Sequence, residues 1–140
     1  MKKTPIRKKG NSPISKTKDR IQKLLTAIVR IRDGGCIFRK YNVGKCGGYT
    51  AADHIKSRIY SKTYGDLRNV ICACSSHHIF WKRSHPTEYT EIVKKHIGIK
   101  TYNLIEKLSK IETQYTLKEW LKIEDKLKKC QKKKEQSIRF

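Results

Sequence analysis

Apolar residues first recur at helical spacing over residues 15–33, where Ile21, Leu24, Leu25, Ile28, Val29 and Ile31 mark one face. Gly34 and Gly35 stop that helix. Residues 36–80 change character, with glycines, cysteines, β-branched and aromatic residues in short runs that read as strands and turns. A strand pair is expected here, the first strand ending near Ile55 and the second covering about 69–72. Ser75 or Ser76 offers an N-cap for a helix that carries His77 and His78. Pro86 opens a short helix over 86–96 with Tyr89, Ile92 and Val93 as its apolar stripe, and Gly98 follows as a stop. A helix over about 102–115 carries Leu104, Ile105, Leu108 and Ile111. The run TLKE at 116–119 has the capping-box pattern and starts a last helix that buries Leu117, Trp120, Leu121 and Leu127. No internal repeat is present. The pattern predicts an α+β chain.

Length and charge narrow the class. A chain of 140 residues is expected to form one domain. It divides into a flexible basic arm (1–14), a main domain with its leading helix (15–98), a helical extension (99–129) and a basic tail (130–140). Hydrophobic residues make up 36 % and charged residues 33 %, enough for a modest core that a structural metal would reinforce. The net charge of +22, from 34 Lys and Arg against 12 Asp and Glu, points to an anionic partner. Nucleic acid is the first candidate, because lysines that neutralise phosphates release counterions. An anionic membrane surface is the weaker rival, since no amphipathic Trp/Leu-anchored helix and no apolar run of about 20 residues is present. The start of the chain is basic but has no apolar stretch behind it, so no export signal is expected. With five cysteines, that favours a reducing cytoplasm, where clustered Cys and His are metal ligands more often than disulfides.

The densest chemistry lies in NVICACSSHHIFW, residues 69–81. Zinc takes four tetrahedral N and S ligands, usually from two knuckles distant in the chain. Cys74 and His77, two residues apart, form one at a strand-to-helix turn. Cys36 and Cys46 form the other, with Gly47 and Gly48 supplying the tight turn, although their nine-residue gap is wide. Cys72 competes with Cys74, because residues two apart on a strand share a face. The two-residue gap to His77 favours Cys74. Cys130 lies in the lysine tail and is expected to be an unengaged thiol.

If His77 completes a zinc site, Asp53, His54, Asn69 and His78 remain. This set suits phosphodiester hydrolysis. A carboxylate and an imidazole hold one divalent cation, a second imidazole takes a proton from the attacking water, and the Asn side chain bridges backbone groups to hold the loop.

Together with RDGGC, CGG and the later YTEIVKKHIG, these residues resemble the HNH (ββα-metal) endonucleases, above all the small zinc-bearing proteins of phages and prophages. The resemblance covers residues 32–98, about half the chain. It implies a ββα-metal core with zinc knuckles, flanked by N- and C-terminal helices. It also implies His54 as general base, Asp53 and His78 as ligands of Mg²⁺ or another divalent cation, and Asn69 as the residue that orients the loop. Cys36, Cys46, Cys74 and His77 would hold the structural Zn²⁺. The sequence departs from the pattern in three places: the long gap between Cys36 and Cys46, His77 in place of a second knuckle cysteine, and Lys82 where some relatives place another histidine. Lys82 is therefore expected to contact phosphate, as are Arg58, Lys62 and Arg68 around the loop between the strands. Phe80 and Trp81 are expected to wedge the site helix against the strands, His85 to sit in a loop or cap, and His96 to close a helix C-terminus. The expected function is metal-dependent cleavage of DNA with little sequence specificity, in a bacterial or phage-infected cell, by a monomer or a homodimer. A zinc-stabilised DNA-binding accessory without cleavage is the alternative.

Overall fold

The computed structural model describes residues 10–138. The first long helix, α1 (Pro13–Asp33), begins earlier than the apolar pattern implied. Ser12 caps it, its Oγ accepting the Ser15 N–H at 3.1 Å, and Pro13 fits the first turn, where an N–H has no helical partner. Gly34 ends the helix in the left-handed region (φ 67°) and donates its N–H to the Arg30 carbonyl. Residues 10–14 of the expected arm thus lead into and join α1, and residues 1–9 lie outside the described residues.

Strands β1 (Thr50–His54) and β2 (Val70–Cys74) pair antiparallel, with Ala52 opposite Cys72, Asp53 opposite Ile71 and His54 opposite Val70. The pleat sorts two cores. Ala52, Val70 and Cys72 pack against Ile21, Leu25, Ile28 and Val29 of α1. Ile71 and Ala73 meet Ile37, Phe38, Tyr89 and Val93 on the other side. A short helix α2 (Ser61–Tyr64) lies in the loop between the strands. After β2 come a widened π-helical turn (Ser76–Trp81), the single turn α3 (Lys82–Ser84) and α4 (Pro86–Ile97). Among the described residues no helix is long and apolar enough to cross a membrane.

The helical extension differs from its expected bounds. Helix α5 (Ile99–Ser109) follows Gly98 directly and stops before Ile111, which is exposed. Helix α6 (Leu117–Ile138) opens with the expected capping box: the Thr116 N–H donates to Glu119 at 2.7 Å, and the Glu119 N–H to the Thr116 hydroxyl at 3.3 Å. It then runs through the lysine block. Trp120, Glu124 and Leu127 form its buried stripe against α1, which leaves Leu117 and Leu121 exposed, contrary to expectation. Trp120 and Leu127 enter the α1 core, and Glu124 on the same face accepts a fork from Arg20 of α1 at 2.6 and 3.3 Å. Cys130, half-buried, packs against the α1 core.

The end of α1 brackets both strands. Arg30 donates to the Thr50 carbonyl, and Arg32 donates to the carbonyls of Leu67 and Val70 at 2.8 and 2.7 Å. Asp33 accepts the Cys72 N–H at 2.9 Å. Burial pushes the Asp33 carboxyl up, but the Arg32 guanidinium and the Cys72 N–H outweigh it and hold the group below the usual carboxylate range. Its stabilising effect is therefore present above the unfolded carboxyl pKa of about 3.9 and lost as pH falls through the lower folded value. Asp33→Asn should destabilise the fold by about 1–2 kcal/mol near neutral pH. In urea titrations of chelator-stripped protein, the gap to wild type should narrow as pH falls below about 3.9. A gap independent of pH would show that the Asp33 charge does not hold β2 to α1.

Candidate functional site

Three cysteines and one histidine converge where β2 ends. Cys36 follows the α1 stop, Cys46 precedes a glycine pair, Cys74 closes β2 and His77 lies in the π-helical turn. Their donor atoms all lie within 4.8 Å of one another. His77 Nδ1 is 3.6, 3.8 and 3.1 Å from the sulfurs of Cys36, Cys46 and Cys74. Tetrahedral zinc with these ligands has edges of about 3.5–3.8 Å, so the donor set is of the kind zinc takes and the two longer of these contacts match its edges, with Cys74 drawn closer to His77. The tautomer fits as well. His77 Nε2 is in contact with the Val43 carbonyl, which can only accept, so the proton is on Nε2 and the Nδ1 lone pair faces the sulfurs. Phe38 stacks on the His77 ring at 5.1 Å and closes the site from the core.

The backbone explains how the two knuckles meet. The Ser75 N–H donates to the Tyr49 carbonyl and the Ser76 N–H to the Gly47 carbonyl, so the loop after Cys46 runs alongside the turn after Cys74. Gly48 is needed there: its φ is 77°, and a Cβ would stand 2.8 Å from the Ser75 side chain. The Ser75 hydroxyl donates to the Tyr49 carbonyl at 3.1 Å and so is not the expected helix cap. Burial pushes the Cys36 thiol up, aided by the neighbouring sulfurs of Cys74 and Cys46. At Cys74 burial acts the same way, but N–H groups of Gly47 and His77 aimed at the sulfur outweigh it and pull the thiol below its ordinary value.

Cys74, not Cys72, belongs to this cluster. Strand alternation would put both on one face, and Cys72 does lie in the α1 core. Cys74 is the last strand residue, where the chain leaves the pleat for the helical turn and carries its sulfur into the opposite core.

On the far side of the same turn a cleft of about 450 Å³ is lined by Gln22, Asp53, His54, Arg58, His78 and Lys82. Asp53 is almost wholly buried. Its Oδ1 receives His78 Nδ1–H at 2.8 Å and the Lys82 ammonium at 3.0 Å, and its Oδ2 receives the Tyr89 hydroxyl at 2.6 Å. Burial raises the carboxyl pKa, yet His78, Lys82 and Tyr89 together hold it below the usual carboxylate range, so Asp53 is ionised. Tyr89, buried against that charge, is pushed well above the ordinary phenol and stays a donor.

His54 lies on the other face of β1, packed on Tyr64, and its Nε2 is 2.8 Å from the Tyr64 carbonyl. A carbonyl only accepts, so Nε2 carries the proton and Nδ1 keeps a lone pair, with no partner among the described residues. Burial lowers the pKa of this ring and keeps it neutral. Asn69, fully buried, accepts the Lys56 N–H at 2.8 Å and donates to the carbonyls of Lys56 and Thr63 at 3.1 Å. Its carboxamide pins the loop that follows His54.

The expected phosphate ligands divide. Arg58 and Lys82 line the cleft with Asp53 and His54. Lys62 and Arg68 line a separate cavity of about 530 Å³ against α6, and Arg68 is forked onto Asp66 at 2.7 and 3.0 Å. Trp81 is a wedge, packed on Phe38 and stacked on His85, which precedes α4. Phe80 is not: the π-helical turn leaves it 70 % exposed. His96 lies in the last turn of α4, beside the Tyr41 hydroxyl. Tyr89 and Gln22 were missed as site residues because their positions read as ordinary helix faces. Searches against family models, curated proteins and solved structures give no significant match to this chain.

Zinc content and thermal melting test the cluster. Cys74→Ser should lose the bound metal and at least about 3 kcal/mol of stability. Cys72→Ser should keep one zinc per chain and lose only packing. Equal zinc loss in both variants would remove Cys74 from the ligand set.

Proposed function

We propose that this chain is a divalent-metal-dependent nuclease of the HNH type that hydrolyses DNA phosphodiester bonds, with Cys36, Cys46, Cys74 and His77 holding a structural zinc. The observation that carries the reading is the pairing of a neutral, buried imidazole with a free lone pair and an ionised, buried carboxylate in one basic cleft. His54 Nδ1 takes the proton of the attacking water, with Nε2 held on the Tyr64 carbonyl so that the ring cannot turn. Asp53 and His78 would hold a divalent cation, which would supply Lewis-acid polarisation of the scissile phosphate. Asp53 Oδ1 and His78 Nδ1 lie 2.8 Å apart, and to hold a cation together His78 would give up the proton it now shares with Asp53. Asn69 keeps the base in register with the loop, and Arg58 grips a flanking phosphate. Such contacts position the backbone without reading bases, which gives cleavage of low sequence specificity. Two strands followed by the helical turn that bears His78 support the family reading.

A second reading, a zinc-stabilised DNA-binding module without cleavage, has one observation in its favour: the Lys82 ammonium already compensates Asp53. Plasmid nicking with Mg²⁺, Mn²⁺ or EDTA separates the two. Wild type should cut only with metal, and His54→Ala should cut more slowly by roughly 10²–10⁴-fold with DNA affinity nearly unchanged. Binding without cutting, on duplex and branched DNA alike, would favour the binding module. Collapse of affinity in His54→Ala would make His54 a structural or binding residue.

A further inference from the structure

Lys82 is not turned toward the solvent of the cleft. Its ammonium is held by Asp53 Oδ1 at 3.0 Å and the His54 carbonyl at 3.3 Å, and it lies 4.5 Å from the centre of the Tyr89 ring. A carboxylate, a carbonyl and an aromatic face are together a seat for a cation. The Tyr89 hydroxyl fixes the seat from the other side by binding Asp53 Oδ2. Lys82 stands four residues after His78, so the helical segment brings both side chains to the same carboxylate oxygen. Asp53 is 1 % exposed and Lys82 31 % exposed at the side chain. The acid is fixed and the base has a path out.

A divalent ion on Oδ1 would lie about 2.1 Å from it, and an ammonium left in place would be within about 5 Å of that ion. Two like charges so close in a half-buried cleft repel strongly. Metal and Lys82 therefore exclude each other at Asp53. We propose that Lys82 is the internal counter-ion of Asp53, which a divalent cation must displace, so that Lys82 sets the metal affinity of the site and reaches the phosphate only after metal enters. The inference rests on the reading of Asp53 and His78 as cation ligands. It gives Lys82 two positions. On Asp53 it spares the metal-free fold an uncompensated buried charge. Displaced, it joins Arg58 in the cleft and adds a second cation to the phosphate subsite.

The test is Mn²⁺ binding, followed by electron paramagnetic resonance, to zinc-loaded full-length protein without DNA. Lys82→Met and Lys82→Gln should bind roughly ten- to a hundredfold more tightly than wild type, the range set by one lost hydrogen bond to a charged group. Asp53→Asn should abolish the gain. Unchanged or weaker binding, or no Mn²⁺ binding in any variant, would overturn the proposal. So would a gain that survives Asp53→Asn. A readout on wild type covers misfolding of the variants: amine labelling of Lys82, read by mass spectrometry, should increase when Mg²⁺ is added, and unchanged labelling counts against displacement. Nicking is scored separately. Tighter metal binding with no cutting leaves the displacement intact and sinks the nuclease; cutting with unchanged affinity does the reverse.

Discussion

A two-stranded ribbon is marginal in water and needs a partner on each face. Here the ribbon of β1 and β2 is the element to which everything else is referred. Helix α1 holds it by side chains at its last turn: Arg30 on β1, Arg32 and Asp33 on β2. With the strands fixed in register, opposite pleats face two different cores. His54 on one face and Asp53 on the other then reach the same cleft at the strand end. A slip of one residue would exchange their faces and remove Cys74 from its partners.

Buried acids do much of the long-range joining in a chain of strong positive charge. Glu124 ties α6 to α1 through Arg20, Asp33 ties α1 to β2, and Asp53 ties β1 to α4, to the turn bearing His78 and to Lys82 of α3. Each carboxylate is held below its usual range by basic or N–H and O–H partners. The chain has 34 basic residues against 12 acidic ones, and in this fold Arg20, Arg32 and Lys82 stand beside these three acids. The remaining positive charge, unmatched by acids, gives the chain its net charge of +22.

The turn after β2 serves two sites from adjacent residues. His77 faces the sulfurs and stacks on Phe38, whereas His78 faces Asp53. Metal in the Cys36, Cys46, Cys74 and His77 cluster would anchor the start of that turn, and with it the position of His78. The cysteine cluster and the Asp53 cleft are therefore joined through one peptide bond. The same geometry exposes Phe80, because two consecutive residues already occupy the inward directions.

Much of this was legible in the sequence, because local rules govern it. The α1 stripe, the Gly34 stop, the capping box at Thr116 and the α+β class follow from spacing and caps that act within a few residues. The four cysteine and histidine residues that converge were also picked out by spacing, since a knuckle is a local turn. Other features depended on contacts distant in sequence. The phase of α6 depends on what α1 offers it: Trp120 and Leu127 enter its core and Glu124 meets Arg20, 104 residues away, so Leu117 and Leu121 face outward. The fate of Cys72 and Cys74 turned on where the pleat ended, and Tyr89 became an Asp53 ligand only because α4 folds back over β1. Periodicity in the sequence determined which residues share a face. What each face meets was decided by the tertiary structure, because a buried charge takes its partner from whatever element packing brings within about 3 Å.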